Sequence, residues 1–179
     1  MAEPLAIFIN PASGHGQGEA LYQNICRVQK DDPVFAQNIL SIKTISPGTI
    51  EKDLEEVIRK ANTILICGGD GTVHHLINLL AQMSYEKNIS IYPIGTGNDL
   101  SKHFNVPKIS VDAFIYKLLM APESCEIDLF SVNHSIYFLN YFTFGIDAHI
   151  LHLYDKIHQY LNFRLPFKLP FWLTGPFKK

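Results

Sequence analysis

The sequence predicts an α/β fold in which helices cover both faces of a parallel sheet. Four short runs rich in β-branched residues carry apolar side chains on both faces, as strands buried between two helical layers do. These runs lie at residues 5–9, 39–45, 63–67 and 89–94. Segments with apolar residues at helical spacing separate them, at 50–61 and 73–83. Strands joined by such helices connect through right-handed crossovers, so we expect them to be parallel.

A change of pattern near Pro122 predicts a boundary between two domains. An apolar helical stripe over residues 111–119 should end before this proline, which disfavours helical geometry in the residue ahead of it. We therefore expect an α/β domain over residues 1–122 and a second domain over residues 123–179.

The second domain is predicted to begin with antiparallel strands. Extended, aromatic-rich runs at 127–132 and 136–144 flank Asn133-His134-Ser135, a pattern typical of a hairpin. A helix is expected over residues 148–161. Because two strands and one helix do not close a core, we expect this β-rich domain to be truncated where the sequence stops at Lys179.

The composition of the chain narrows its class. Its 179 residues are 47% hydrophobic, enough to bury one sizeable core. Fifteen basic against 17 acidic residues give a formal net charge of −2, which argues against nucleic acid as a partner. The three cysteines form no paired spacing, which disfavours disulfides and zinc and favours a reducing cytoplasm. No apolar run reaches the roughly 18 residues of a membrane span, so we expect a cytoplasmic protein, at most peripheral to a membrane.

Three polar, glycine-rich segments each follow a predicted strand. They are Asn10-Pro11-Ala12-Ser13-Gly14, Gly68-Gly69-Asp70-Gly71-Thr72 and Gly95-Thr96-Gly97-Asn98-Asp99. Because the carboxyl ends of parallel strands meet at one edge of a sheet, we expect the three segments to converge there. Glycine turns let backbone N–H groups approach a phosphate, and a following helix N-terminus adds partial positive charge. A single such turn is usually structural, but three together predict an anion site.

Two common phosphate-binding motifs are absent. Gly14-His15-Gly16-Gln17-Gly18 lacks the Gly-x-Gly-x-x-Gly register and has no suitably placed acidic residue about 20 positions on, which disfavours a dinucleotide oxidoreductase. No Gly-Lys-Ser or Gly-Lys-Thr follows any strand, so the chain does not carry a P-loop.

The order and spacing of the three glycine-rich segments resemble the nucleotide-site motifs of diacylglycerol kinase catalytic domains. Glu126-Ile-Asp-Leu129 and Phe144-Gly-Ile-Asp-Ala148 are similar to the start of that family's second, β-rich domain. Sphingosine kinases, ceramide kinases and bacterial lipid kinases share the pattern. NAD kinases are similar at Gly68–Thr72, whereas Gly-Thr-Gly-Asn-Asp after a proline-containing strand favours the lipid kinases. The resemblance therefore implies an NAD kinase/diacylglycerol kinase-like fold and a lipid kinase.

The resemblance also implies which residues contact ATP. Its nucleotide contacts carry over to Asn10, Pro11, Ala12, Ser13, Gly14, Thr44, Gly68, Gly69, Asp70, Gly71, Thr72 and Thr96, with Gly95, Gly97 and Asn98 completing the third motif. Asn10 and Ser13 offer side-chain hydrogen bonds, and the glycines of the second motif let the chain pass close to the phosphates.

Asp70 is the one charged side chain in this predicted phosphate cradle. A carboxylate beside phosphates is costly unless a cation lies between them, so we assign Asp70 to Mg²⁺, directly or through water. The alternative is an aspartate that caps the helix starting after Thr72. Asp99 is expected to act as such a cap, with Asn98 and Asp99 opening a short helix toward Phe104.

The expected reaction is transfer of the γ-phosphoryl group of ATP to a hydroxyl of diacylglycerol or a related lipid. In the family the proton acceptor lies in the later part of the second domain, beyond Lys179, so no catalytic base is named and activity of this chain alone is an open question. Two alternatives remain: an NAD kinase-like enzyme with a soluble substrate, and a nucleotide-binding module without catalysis.

Other features of the sequence have simpler interpretations. His149, His152 and His158 drift around a predicted helix, which favours a solvated face over metal ligation. Of His74 and His75, one is expected near the nucleotide and the other pointing away. The aromatic and basic segment 163–179 is interpreted as core residues of an incomplete domain, or as an element that contacts a membrane. The sequence is compatible with a homodimer.

Overall fold

The main sheet has four parallel strands in the order β2-β1-β3-β4. The computed structural model describes residues 4–45, 52–83 and 86–139, together with positions 149, 152, 153 and 156. The strands are β1 (Leu5–Ile9), β2 (Ile39–Thr44), β3 (Thr63–Gly68) and β4 (Asn88–Pro93). The predicted α/β class and its four strands are confirmed.

Helices connect the strands and flank the sheet on both sides. They are α1 (Ser13–Asp31), α2 (Pro33–Asn38), α3 (Lys52–Lys60), α4 (Asp70–Gln82), α5 (Asp99–His103) and α6 (Val111–Met120). The helices predicted over 50–61, 73–83 and 111–119 correspond to α3, α4 and α6. Helix α4 begins earlier than its apolar stripe, because the polar residues of its first turn already have helical geometry.

The central strand β1 is buried on both faces, and alternate residues contact different helical layers. Ala6 and Phe8 pack in a cluster with α3, α4 and α5, whereas Leu5, Ile7 and Ile9 pack with α1, α2 and α6. Side chains alternate across a strand, so a strand between two apolar layers must be apolar at every position. Burial of each large side chain in such a core contributes roughly 1.5–3 kcal/mol.

The predicted antiparallel hairpin is present as β5 (Phe130–Val132) and β6 (Ile136–Phe138). Asn133 and His134 both have φ of 52°, and the Ser135 N–H donates to the Val132 carbonyl at 3.1 Å. Two successive residues at positive φ match the right-handed twist of the strands, as in a type I′ turn. The predicted continuation of the second strand to residue 144 lies outside the described residues.

The chain divides into two compact units, Met1–Asn140 and Tyr141–Lys179. The predicted domain boundary at residue 122 stays a prediction. Of the helix predicted over 148–161, the four described positions are helical, and the segment 163–179 lies outside the described residues. In the part of the chain that the structure describes, no helix is long and apolar enough to span a membrane.

Candidate functional site

Three loops meet at the carboxyl edge of the sheet. Loop 1 (residues 10–16) follows β1, loop 2 (residues 68–72) follows β3, and loop 3 (residues 94–99) follows β4. These strands are immediate neighbours in the sheet. Backbone hydrogen bonds also link loops 1 and 3 to the end of β3, which lies between them. The Asn10 N–H donates to the Cys67 carbonyl at 3.0 Å, and the Ile94 N–H donates to the Gly68 carbonyl at 3.1 Å. The predicted convergence of the three segments is therefore observed.

Asn10 fastens loop 1 to loop 2. Its side chain is buried; Nδ2 donates to Thr72 Oγ1 at 2.9 Å, and Oδ1 accepts the Ala12 N–H at 3.0 Å. Ser13 Oγ lies 3.5 Å from the same Thr72 hydroxyl. A buried amide needs such partners, because an unpaired one costs about 1–3 kcal/mol. The Asn10 side chain is thus engaged by the protein itself.

Loop 1 has a left-handed backbone. Gly14, His15 and Gly16 have φ of 61°, 57° and 94°, so the turn runs through three successive positive-φ residues before α1 becomes regular. A Cβ at Gly14 would lie 2.2 Å from the Ile94 carbonyl oxygen. Loop 3 therefore comes too close to position 14 for any residue other than glycine. Gly18, by contrast, is buried where α1 crosses loop 1, and a Cβ there would lie 2.0 Å from the Asn10 carbonyl oxygen.

Asp70 joins loop 2 to loop 3. Its Oδ2 accepts the Asp99 N–H and its Oδ1 accepts the Leu100 N–H, both at 3.0 Å. Two free N–H groups at the start of a helix are the usual partners of a capping carboxylate. Asp70 therefore caps α5, a helix from another part of the chain, and not the helix after Thr72 that the alternative interpretation named.

The start of α5 corrects one expectation. The short helix after Asn98 is present, but Asp99 is its first residue and pairs with Lys102 at 2.9 Å instead of capping it. Asn98 occupies the cap position with φ of 54°, yet its side chain turns back to loop 3, where Oδ1 accepts the Gly95 N–H at 2.9 Å. The cap of this helix comes from Asp70 because loops 2 and 3 are adjacent in the fold.

The glycines of the site serve different purposes. A Cβ at Gly68 would lie 2.5 Å from the Thr72 side chain, so this glycine leaves room for Thr72 within loop 2. A Cβ at Gly95 would lie 2.5 Å from the Gly69 Cα, so Gly95 allows loop 3 to touch loop 2. A Cβ at Gly71 would meet nothing within 4 Å. Gly71 is exposed in the first turn of α4, whose cap position, Gly69, makes no side-chain hydrogen bond. Protein packing therefore leaves the absence of a side chain at Gly71 unexplained.

The remaining predicted residues lie in loop 3 or at the end of β2. Thr96 and Gly97 are exposed in loop 3, and Thr44 ends β2 beside Ile9, at the same sheet edge. Uncapped N–H groups at the start of α4 and a glycine surface can accommodate phosphate oxygens. Beneath loop 2, burial raises the pKa of the Cys67 thiol, so this group adds no negative charge.

The site fits a cation only if other ligands complete the coordination shell. Within the described residues no group of three or more His, Cys, Asp or Glu side chains is placed to hold a metal ion. Mg²⁺ commonly takes one or two carboxylates and completes its shell with phosphate oxygens and water. Asp70 qualifies as one such carboxylate, since each of its oxygens accepts one N–H and has further acceptor capacity.

The sequence patterns did not predict that α4 also binds the β5–β6 hairpin. The Asn78 side chain binds the main chain of Tyr137 in β6 through two hydrogen bonds of 2.8 Å. Of the two neighbouring histidines, His74 is exposed and lies with Nε2 3.5 Å from Asn78 Nδ2, and His75 is half-buried. An asparagine inside a predicted helix was the only available signal, because asparagine is a weak helix former.

Comparison with known proteins adds family information to this geometry. Residues 4–132 match the model of the diacylglycerol kinase catalytic domain. Human diacylglycerol kinase iota is 29% identical over 177 aligned residues, covering 84% of this chain and 16% of the relative. Human diacylglycerol kinase zeta is also 29% identical, with 84% of this chain and 18% of the relative covered.

Solved structures show the same fold. A crystal structure of a diacylglycerol kinase from Bacillus anthracis str. Sterne is 28% identical and superposes with a TM-score of 0.59, covering 90% of this chain and 54% of that protein. The chain thus spans about half the length of the bacterial protein and less than a fifth of the human relatives.

Proposed function

The chain belongs to the diacylglycerol kinase catalytic domain family, and from this premise we propose that it is the nucleotide-binding part of an ATP-dependent lipid kinase. The reaction would transfer the γ-phosphoryl group of ATP to a hydroxyl of diacylglycerol or a related lipid at a membrane surface. The relatives it resembles are named diacylglycerol kinases, which supports a phosphotransferase.

The observation that carries the proposal is the open space at Gly71. Loops 1, 2 and 3 touch one another through Asn10, Thr72, Asp70 and Gly95, yet a Cβ at Gly71 would have no atom within 4 Å apart from its immediate neighbours and the backbone of its own helix. An exposed glycine at an uncapped helix start is suited to a bulky anion. A triphosphate is the ligand of that kind which a kinase requires.

The roles of the residues follow from their contacts. Backbone groups of Pro11, Ala12, Ser13 and Gly14, and of Gly69 and Gly71, would face the phosphates, while Thr44, Thr96, Gly97 and Asn98 would border the nucleotide. Asn10, Gly68, Thr72 and Gly95 would act indirectly, by holding the loops together. Asp70 would hold Mg²⁺, which neutralises phosphate charge when bound.

Catalysis needs a group that accepts the proton of the attacking hydroxyl. The two carboxylates of the three loops are already engaged, Asp70 with α5 and Asp99 with Lys102. We propose that the proton acceptor lies elsewhere in the protein. Nothing in the geometry favours NAD over a lipid as the acceptor.

Titration calorimetry with Mg-ATP tests the nucleotide site. We expect saturable binding to the wild-type chain, weakened about tenfold or more in Gly71→Val, whose Cβ would enter the open space without meeting another segment of the protein. Gln82→Val is the control, since it introduces the same residue at the exposed far end of α4. Gly69→Val is less informative, because a Cβ there would lie 3.1 Å from the Gly95 Cα and would separate the loops.

Two results would refute the nucleotide site: no Mg-ATP binding by a folded wild-type chain, or equal binding by Gly71→Val. Transfer of label from γ-labelled ATP to diacylglycerol in mixed micelles tests the reaction. Label in NAD instead of the lipid would favour the NAD kinase-like alternative, and binding without transfer would favour a non-catalytic module.

A further inference from the structure

Asn78 makes a two-point contact with the backbone of the hairpin. Nδ2 donates to the Tyr137 carbonyl and Oδ1 accepts the Tyr137 N–H, both at 2.8 Å. The second hydrogen of Nδ2 is also engaged, since Nδ2 lies 2.9 Å from the His74 carbonyl. The carboxamide thus pairs with both backbone groups of one residue of β6, as a residue of a neighbouring strand would.

This contact joins segments that are 59 residues apart in the sequence. Asn78 lies on the helix that begins in loop 2, about 12 Å beyond Asp70 at a rise of about 1.5 Å per residue. Because an α-helix of this length is stiff, a segment that is bound to Asn78 also has a fixed position relative to loop 2 at the start of α4.

Apolar packing of the hairpin is limited. Leu139 packs against the core cluster that contains Leu76 and Leu79. Phe130 and Ile136, however, are 55% and 44% exposed. The directional hydrogen bonds of Asn78 therefore constrain the position and register of β6 on α4 in a way that non-directional apolar contacts do not.

We infer that the β5–β6 hairpin borders the acceptor side of the site and that Asn78 is a positioning residue for phosphoryl transfer, because it holds this hairpin in register on the helix that starts at Asp70. This role rests on the proposed kinase function. Phosphoryl transfer depends on the alignment of donor and acceptor, and a displacement of about 1 Å can reduce the rate by about two orders of magnitude.

Asn78→Asp and Asn78→Ala test the inference in the full chain. The aspartate has nearly the same shape but lacks the donor for the Tyr137 carbonyl, and the alanine removes both contacts. Gln82→Glu, on the exposed C-terminal turn of α4, is the control for an amide-to-acid change on the same helix.

Amide hydrogen exchange measured by NMR is the readout that does not require activity. In Asn78→Ala the Tyr137 amide should exchange about tenfold faster or more, while the β3 amides of Ile64 and Ile66 keep their protection. Unchanged exchange at Tyr137 would overturn the contact, and loss of protection in β3 would show general unfolding instead of a local release.

Kinetics with diacylglycerol give the second readout. We expect kcat to fall about tenfold or more in both Asn78 variants, with Mg-ATP affinity within about twofold of wild type and Gln82→Glu unchanged. An active wild type with equally active Asn78 variants would overturn the positioning role, as would a parallel loss of Mg-ATP affinity. A wild type that binds Mg-ATP but transfers no phosphate would overturn this role in catalysis for the given chain while leaving the nucleotide site standing, and Tyr137 exchange would still decide whether Asn78 holds the hairpin.

Discussion

Single polar residues hold the three loops of the site in place. Asn10 is buried and binds Thr72 across loops 1 and 2, and Asp70 binds two N–H groups of α5 across loops 2 and 3. Such contacts give the loops defined positions before a ligand arrives, which reduces the ordering cost of binding. Loss of function on replacing these residues therefore does not by itself identify a nucleotide contact.

His134 is a residue whose backbone conformation does not suit its side chain. It has φ of 52° at the second central position of the hairpin turn, where glycine is preferred and a residue with a Cβ costs about 1–2 kcal/mol. We expect His134→Gly to raise the thermal unfolding midpoint by about 1–3 °C, allowing for the greater entropy of glycine in the unfolded chain.

His134→Ala is the control for this prediction, because alanine keeps the Cβ and removes only the imidazole. It should give no gain in stability, as measured by circular dichroism during heating. An equal gain in both variants would show that the imidazole, and not the backbone conformation, is unfavourable.

At the level of elements, α5 depends on a cap supplied by α4. Asp70→Asn leaves one acceptor oxygen for the two N–H groups of Asp99 and Leu100. We expect a loss of about 1 kcal/mol, or about 2–4 °C in the unfolding midpoint for a chain of this size. Faster hydrogen exchange of the Leu100 amide would locate the effect in α5.

Asp112→Asn provides the comparison, since Asp112 lies in the first turn of α6 and accepts one longer hydrogen bond, 3.3 Å from Asn24. Its effect on stability should be smaller. If Asp70→Asn were as stable as wild type while Mg²⁺-dependent ATP binding was lost, Asp70 would act on the cation and not through α5.

At the scale of the whole molecule, Asp32 and Tyr116 join two helices of the same layer. The Tyr116 hydroxyl donates to Asp32, which also caps α2 by accepting the N–H groups of Val34 and Phe35. The hydrogen bond from Tyr116 is the main cause that lowers the pKa of Asp32, and the same contact raises the pKa of Tyr116.

The pH dependence of stability follows from these directions. A lowered Asp32 pKa contributes stability above its unfolded value of about 3.9, and this is lost as the pH falls through the folded pKa. A raised Tyr116 pKa contributes stability below about pH 10, and this is lost as the pH rises through the folded value. We expect Tyr116→Phe to be less stable than wild type at neutral pH, with the difference shrinking below about pH 4 and above about pH 10.

Thermal unfolding of wild type and Tyr116→Phe across this pH range checks the prediction. Tyr92→Phe is the control, because the Tyr92 hydroxyl donates to the Ile109 carbonyl, which does not titrate. The acid-side change should be absent in Tyr92→Phe. A difference between wild type and Tyr116→Phe that stayed constant from pH 7 to pH 3 would contradict the coupling to Asp32.

The sheet, its helical layers and the location of the three loops could be predicted from the sequence. Strands such as β1 and β3 are apolar on both faces because both faces are covered, and this pattern is visible in five or six consecutive residues. Turn residues at strand ends are equally local. Periodicity and turn chemistry therefore determined the fold class and the edge of the sheet where the candidate site lies.

The tertiary structure alone decided which polar side chains serve the protein and which are available to a ligand. Asn10 with Thr72, Asp70 with α5 and Asn78 with Tyr137 join residues about 30 to 60 positions apart. No local pattern encodes such pairs, because an aspartate or asparagine looks the same in the sequence whether its side chain binds a helix start, a strand or a cation. Their partners are set by the packing that brings distant segments together, and the same packing leaves Gly71 facing open space.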